Sequence, residues 1–108
     1  MRNDLSSFCP ASVESGLQRL PGLKLTHTVR LVSSLNPSVV STAAAALETR
    51  RANVEQWAVT RCAGLLEQRI VLVDMTERQA IEVREQLAAL DGVARASVEH
   101  QFVREAAA

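Results

Sequence analysis

The chain has 108 residues, which fits one small domain and does not comfortably fit two. Its 12 basic and 12 acidic side chains cancel, so the basic excess with which nucleic-acid binders neutralise phosphates is missing. Hydrophobic residues make up 47% of the chain, but two Phe, one Trp and no Tyr mean an aliphatic core, which in so small a domain gains from burying further surface against a partner.

The two cysteines, Cys9 and Cys62, show no metal-ligand spacing and no disulfide framework, and Cys62 reads as a small apolar filler. No apolar run is long enough to span a bilayer, and the first residues lack the charged start and apolar core of a secretory signal. The expectation is a cytoplasmic protein with no cofactor, metal, membrane or nucleic-acid partner.

In chain order, residues 1–22 are punctuated by Ser6-Ser7, Pro10, Gly16 and Pro21-Gly22. They read as an N-terminal extension, with one short helix over residues 12–20 if Val13, Leu17 and Leu20 form a stripe. The domain proper is expected over residues 23–104, followed by a tail of residues 105–108. Alternation begins at Leu23: Leu25, His27, Val29 and Leu31 share one face, and Thr26, Thr28 and Arg30 the other, which predicts a half-buried strand. Asn36-Pro37 suits a helix start, Asn as cap and Pro in the first turn. Val40, Ala43, Ala44 and Leu47 then recur at helical spacing, Arg50-Arg51 closes the helix, and Asn53 is expected to take the left-handed conformation that often follows a helix end.

Val54–Cys62 is strand-like, with Trp57 and Val59 on the face opposite Val54 and Ala58. After Ala63-Gly64, the run Arg69-Ile70-Val71-Leu72-Val73 is apolar enough to be a central strand. Thr76 with Gln79 three residues later forms a capping box, opening a helix whose stripe is Ala80, Val83, Leu87 and Leu90. Asp91-Gly92 stops that helix, and Ala94–Val103 reads as a last strand. The order β-α-β-β-α-β, with right-handed crossovers and one apolar face per helix, predicts an α+β, ferredoxin-like sandwich: a four-stranded antiparallel sheet with two helices on one face.

From Arg50 onward the residues resemble a known family. Arg50-Arg51-Ala52-Asn53-Val54-Glu55-Gln56-Trp57-Ala58-Val59 stands where the ACT domains of acetolactate synthase small subunits carry a stretch like R-R-G-F-N-I-E-S-L-A-V-G. In the same register, Arg69-Ile70-Val71-Leu72-Val73 is similar to their S-R-M-T-I-V-V strand, and Gln86-Leu87-Ala88-Ala89-Leu90-Asp91-Gly92-Val93 to their Q-L-N-K-L-I-D-V. The resemblance covers residues 27–98. It implies an ACT domain that dimerises, binds the thiamine-diphosphate-dependent catalytic subunit of acetolactate synthase and activates it in branched-chain amino-acid synthesis. It also implies a feedback site for valine or a related amino acid at the dimer interface, at the start of the first helix (Asn36, Ser38) and at Asn53 of the neighbouring chain. The family's helix-start glycine falls on Ser38, its loop asparagine on Leu35 and its second glycine on Arg51, so feedback binding is expected to be weak or missing. The single domain resembles the short kind of small subunit.

Several residues carry two readings. Asn36-Pro37-Ser38 is a ligand site or an ordinary cap, and Asn53 touches an amino acid or merely turns the chain. Trp57, with Val59 and Arg61 two and four residues on, either packs under the helices or meets a partner, since an unpaired strand edge invites a second chain. His27 and His100 fall on neighbouring strands without a third metal ligand. Arg78 and Glu82 read as a solvated i,i+4 pair, and no spacing suggests a catalytic residue. A free-standing ACT module that senses an amino acid and regulates another enzyme or transcription is the alternative.

Overall fold

The computed structural model describes residues 22–104. The expected helix over residues 12–20 and the tail 105–108 lie outside the described residues. Six elements follow in the expected order: β1 (Leu23–Ser34), α1 (Ser38–Thr49), β2 (Asn53–Cys62), β3 (Leu65–Val73), α2 (Glu77–Ala88) and β4 (Val93–Arg104). The strands form one sheet in the order β2-β3-β1-β4, antiparallel at every pairing. Each helix bridges two strands that are not neighbours, so both cross the same face. The fold is the ferredoxin-like sandwich.

The core is aliphatic, as the composition requires. Val29 and Leu31 of β1, Ile70 and Leu72 of β3, Ala43 and Leu47 of α1, and Val83 and Leu87 of α2 form one buried cluster. On α1 the buried seam runs through Val39, Ala43 and Leu47, whereas Val40 and Ala44, expected in the stripe, are half-buried beside it. The middle of β3 is buried on both faces, with Ile70 and Leu72 fully covered and Val71, on the open face, 8% exposed.

Local signals explain the connections. Ala63 and Gly64 both have positive φ (52° and 79°), the two-residue hairpin turn whose twist matches that of the flanking strands. Thr76 and Gln79 form the expected box: the Thr76 hydroxyl accepts from Gln79 N at 3.0 Å, and the Gln79 amide oxygen accepts from Thr76 N at 2.8 Å. Helix α1 closes by Ala52 N donating to Leu47 O and Arg51 N to Glu48 O. That motif needs its left-handed residue at Arg51 (φ 54°), so Asn53, expected there, is already the first residue of β2. Arg50 then reaches across to Glu82 at 3.2 Å, so Glu82 pairs between helices rather than with Arg78.

A bulge changes β2. Val54 pairs with Leu72 and Gln56 with Val71, leaving Glu55 as the extra residue. Val54 therefore shares the helix-side face with Trp57 and Val59, where simple alternation puts it on the opposite face. Cys62 is exposed at the hairpin end and does not fill a core position.

Candidate functional site

The start of α1 is a tight, exposed turn. Asn36 N donates to Ser34 O (2.8 Å), Val39 N to Asn36 O (3.0 Å) and Val40 N to Pro37 O (3.0 Å). Pro37 already has helical angles (φ −58°, ψ −21°), and the Asn36 side chain accepts from Ser38 N at 3.0 Å. Asn36 thus acts as a cap, and it occupies one of the N–H groups that an anion would otherwise use. Leu35 beside it is 41% exposed and brings no polar atom from its side chain.

Asn53 lies at the other end of the helix, its Nδ2 donating to Asp74 Oδ2 at 3.4 Å. The 12 residues of α1 separate the two ends by roughly 18 Å. One chain therefore does not bring Asn53 together with Asn36 and Ser38.

The second group of sequence candidates sits on edge strand β2. Trp57 pairs with Ile70, Val59 with Gln68 and Arg61 with Leu66, so all three point to the helix side. The helices stop short of them: Val54 is 37% and Val59 48% exposed, and Arg61 is exposed. Trp57 is half-buried against the core, its Nε1 donating to Gln68 Oε1 at 3.0 Å. It therefore packs partly under the helices while its neighbours remain uncovered. Gln68 itself is fully buried, and its Nε2 makes no hydrogen bond.

Polar chemistry also gathers at the start of α2, where sequence reasoning had found only half of it. His27 and His100 are direct partners in the β1–β4 register. Their Nδ1 atoms are 2.8 Å apart, and the 5.0 Å between ring centroids leaves the two nitrogens facing each other along the line joining the rings. His27 Nε2 donates to Met75 O at 2.9 Å, and His100 Nε2 lies 3.6 Å from Glu77 Oε2. Burial pushes His27 below the ordinary imidazole range, with Met75 and Glu77 opposing and His100 adding to the shift. Burial lowers His100 as well and raises Glu77, the latter against the pull of His27. Glu77 was legible only as an acid in a first helical turn; its place beside the histidines depends on the register of β1 with β4.

The open face of the sheet is polar. Thr26, Thr28, Gln56, Arg69, Val71 and Gln101 help to line a shallow concavity of about 610 Å³. Arg30 and Arg69 stand directly opposite each other there. Among the described residues, no group of three or more His, Cys, Asp or Glu could hold a metal ion, and no helix is long and apolar enough to cross a membrane.

No protein-family model and no curated protein matches the sequence. Solved structures match the fold. The ACT domain of GTP pyrophosphokinase from Chlorobium tepidum superposes with a TM-score of 0.59 at 12% identity, over 72% of this chain and 99% of that one. A homoserine dehydrogenase from Thiobacillus denitrificans gives 0.55 at 14% identity, over 77% of this chain and 18% of that one. The C-terminal domain of the MgtC protein from Mycobacterium tuberculosis gives 0.54 at 15% identity, over 83% and 98%. The chain therefore has the fold of an ACT domain.

Proposed function

We propose that this chain is a non-catalytic regulatory module that acts by being covered along β2, and specifically a cytoplasmic activating small subunit of acetolactate synthase. The observation that carries the reading is the β2 edge. Among the described residues, its ten residues pair on one side only, with β3, and the helix layer leaves Val54 and Val59 uncovered next to Trp57. Unpaired strand groups and exposed apolar side chains in one strip favour strand addition followed by burial. The three stretches quoted above, in constant register with small subunits of acetolactate synthase, support the choice of partner.

A homodimer through β2 fits the same reading. Two copies of β2 paired antiparallel about Trp57-Ala58 bring Asn53 of one to the Cys62 end of the other. Cys62 pairs with Leu65, and Leu65 with Ser34, the residue from which the chain enters the α1 turn. Asn36, Ser38 and a second copy's Asn53 then border one groove. With Ser38 N already engaged by Asn36 and Leu35 apolar, valine, leucine and isoleucine bind there weakly or not at all.

The test is reconstitution with the catalytic subunit. The account expects no acetolactate synthase activity from the chain alone, and an increase in the catalytic subunit's rate when the two are mixed. An unchanged rate and an unchanged hydrodynamic size on mixing rule the assignment out. The alternative, a free-standing module that senses an amino acid and regulates another enzyme or transcription, is favoured by the exposed α1 start. Clear calorimetric binding of a branched-chain amino acid, without any effect on the catalytic subunit, selects it.

A further inference from the structure

From the geometry at the start of α2 we infer that His27, His100 and Glu77 form a pH-operated latch, a chain of contacts that closes on a shared proton and opens when that proton is lost or when both rings become cations. The argument is one of donors and acceptors. The Met75 carbonyl can only accept, so His27 Nε2 carries a proton. If His27 is neutral, its Nδ1 is a lone pair and must accept from His100 Nδ1–H. His100 Nε2 then lies at ion-pair distance from the Glu77 carboxyl, 3.6 Å, and the pair attracts only when one of the two carries a proton.

That proton has three places to sit without breaking a contact. It can rest on Glu77 as a carboxylic acid, with both rings neutral. It can rest on His100, which becomes an imidazolium beside a carboxylate. Or His27 becomes the imidazolium, donating to both Met75 O and His100 Nδ1, while His100 turns its remaining N–H to Glu77. The proton count is the same in all three, so the cluster titrates as a unit.

Loss of the proton, or a gain large enough to charge both rings, opens the chain. Without the proton, a ring lone pair faces a carboxylate. A second one can settle on Glu77, whose carbonyl oxygen still accepts from a singly charged ring pair; once a further proton makes both rings cationic, both Nδ1 atoms carry hydrogen and two cations meet at the contact between the rings. The surroundings offer little to compensate. Beside His27 on β3 stands the apolar Leu72. From the β3–α2 connection Asp74 accepts from Asn53, and on β1 Lys24 pairs with Glu55. The groups that act on His27 are His100, Glu77 and the Met75 carbonyl. What the latch holds is the β3–α2 connection, through Met75 O, and the first turn of α2, through Glu77, against β1 and β4. A recess of about 300 Å³ lined by Leu23, Leu25, Asp74, Met75, Thr76 and Gln79 lies beside it and changes shape when it opens.

The test is NMR of the ¹⁵N-labelled full chain across acidic to alkaline pH, with thermal unfolding on the same samples. In the closed window the account expects His27 protonated at Nε2 and a scalar coupling between the Nδ1 atoms of His27 and His100. Both ring signals move together, and melting temperature falls on either side of the window. Glu77→Gln lets an amide N–H satisfy His100 Nε2 without a titrating proton, so the alkaline fall disappears while the acidic one remains. Two histidines that titrate independently at ordinary values, without the coupling, overturn the inference. An alkaline limb that survives in Glu77→Gln overturns it as well. Because Glu77 is the first residue of α2 and its side chain is 18% exposed, this variant keeps the fold; His100→Gln, which removes the coupling outright, is the second probe.

Discussion

Helices α1 and α2 lie on the same face of the sheet, yet they begin in opposite ways. At α2, Thr76 and Gln79 cap each other's backbone, and Glu77 and the Met75 carbonyl reach the buried histidines of β1 and β4. The Met75 carbonyl and Glu77 each meet a histidine from a different element. At α1 the cap is local: Asn36 holds Ser38 N within its own turn, Leu35 is exposed, and the adjoining edge strand leaves Val59 uncovered. One start is tied to other elements of the domain, and the other is exposed. On the proposed function and the inferred latch, the two starts divide the labour, with stability and pH response at α2 and association at α1 and β2.

Substitutions can break or sharpen that contrast. The largest effect is expected at the closed start. His27→Leu removes the His27 donor to the Met75 carbonyl and leaves the His100 Nδ1 facing an apolar side chain, at a cost of about 2–3 kcal/mol in chemical denaturation. Next is Gly92→Ala, in the turn after α2, where the Gly92 carbonyl accepts from Ser34 N ahead of the α1 start. A Cβ there meets Val39 Cγ2 at 3.1 Å and Ser34 Oγ at 3.3 Å with φ at 89°, and the strained backbone alone costs about 1–2 kcal/mol. Thr76→Ala removes half of the capping box, for about 1 kcal/mol. Asn36→Ala, at the open start, costs about 0.5 kcal/mol, the low end for a cap, because Asn36 satisfies one N–H without a reciprocal bond. If Asn36→Ala proves as damaging as Thr76→Ala, the two starts are equivalent and the contrast fails.

Acid sharpens the same comparison. Burial lowers both histidines, so near and below the ordinary value of 6.5 the unfolded chain binds more protons than the folded one. Their contribution to stability is therefore present above that value and is lost as pH falls through it. Glu77 is shifted up and has the opposite sign, adding stability that is lost as pH rises through its folded value. A pH series of thermal melts should show the acid loss in the natural chain and a smaller one in His27→Leu.

How far the sequence revealed this varies with the kind of signal. Period-two alternation in β1, the Thr76–Gln79 spacing and Gly92 are local patterns with one physical meaning, and each led to the right element. Asn53 misled because an asparagine tolerates left-handed backbone, while the closing bonds of α1 are counted from Leu47 and Glu48 and fall on Arg51 whatever its side chain. The bulge at Glu55 has no glycine to mark it, so Val54 was read on the wrong face. At the candidate site, the sequence placed Trp57, Val59 and Arg61 on one side of an edge strand, but how far α1 covers them depends on packing. The His27–His100 neighbourhood followed from the fold order; Glu77 needed the register of β1 and β4 as well as the position of α2.

The central claim is that the β2 edge, with the adjoining start of α1, is the surface other chains cover. Amide hydrogen exchange, followed for the chain alone and with the acetolactate synthase catalytic subunit, tests it most directly. The account predicts slowed exchange for the outward amides of β2 and for Leu35–Ser38 on assembly, with Thr76–Gln79 unchanged. Protection that appears at the start of α2, while β2 exchanges as fast as before, would contradict it.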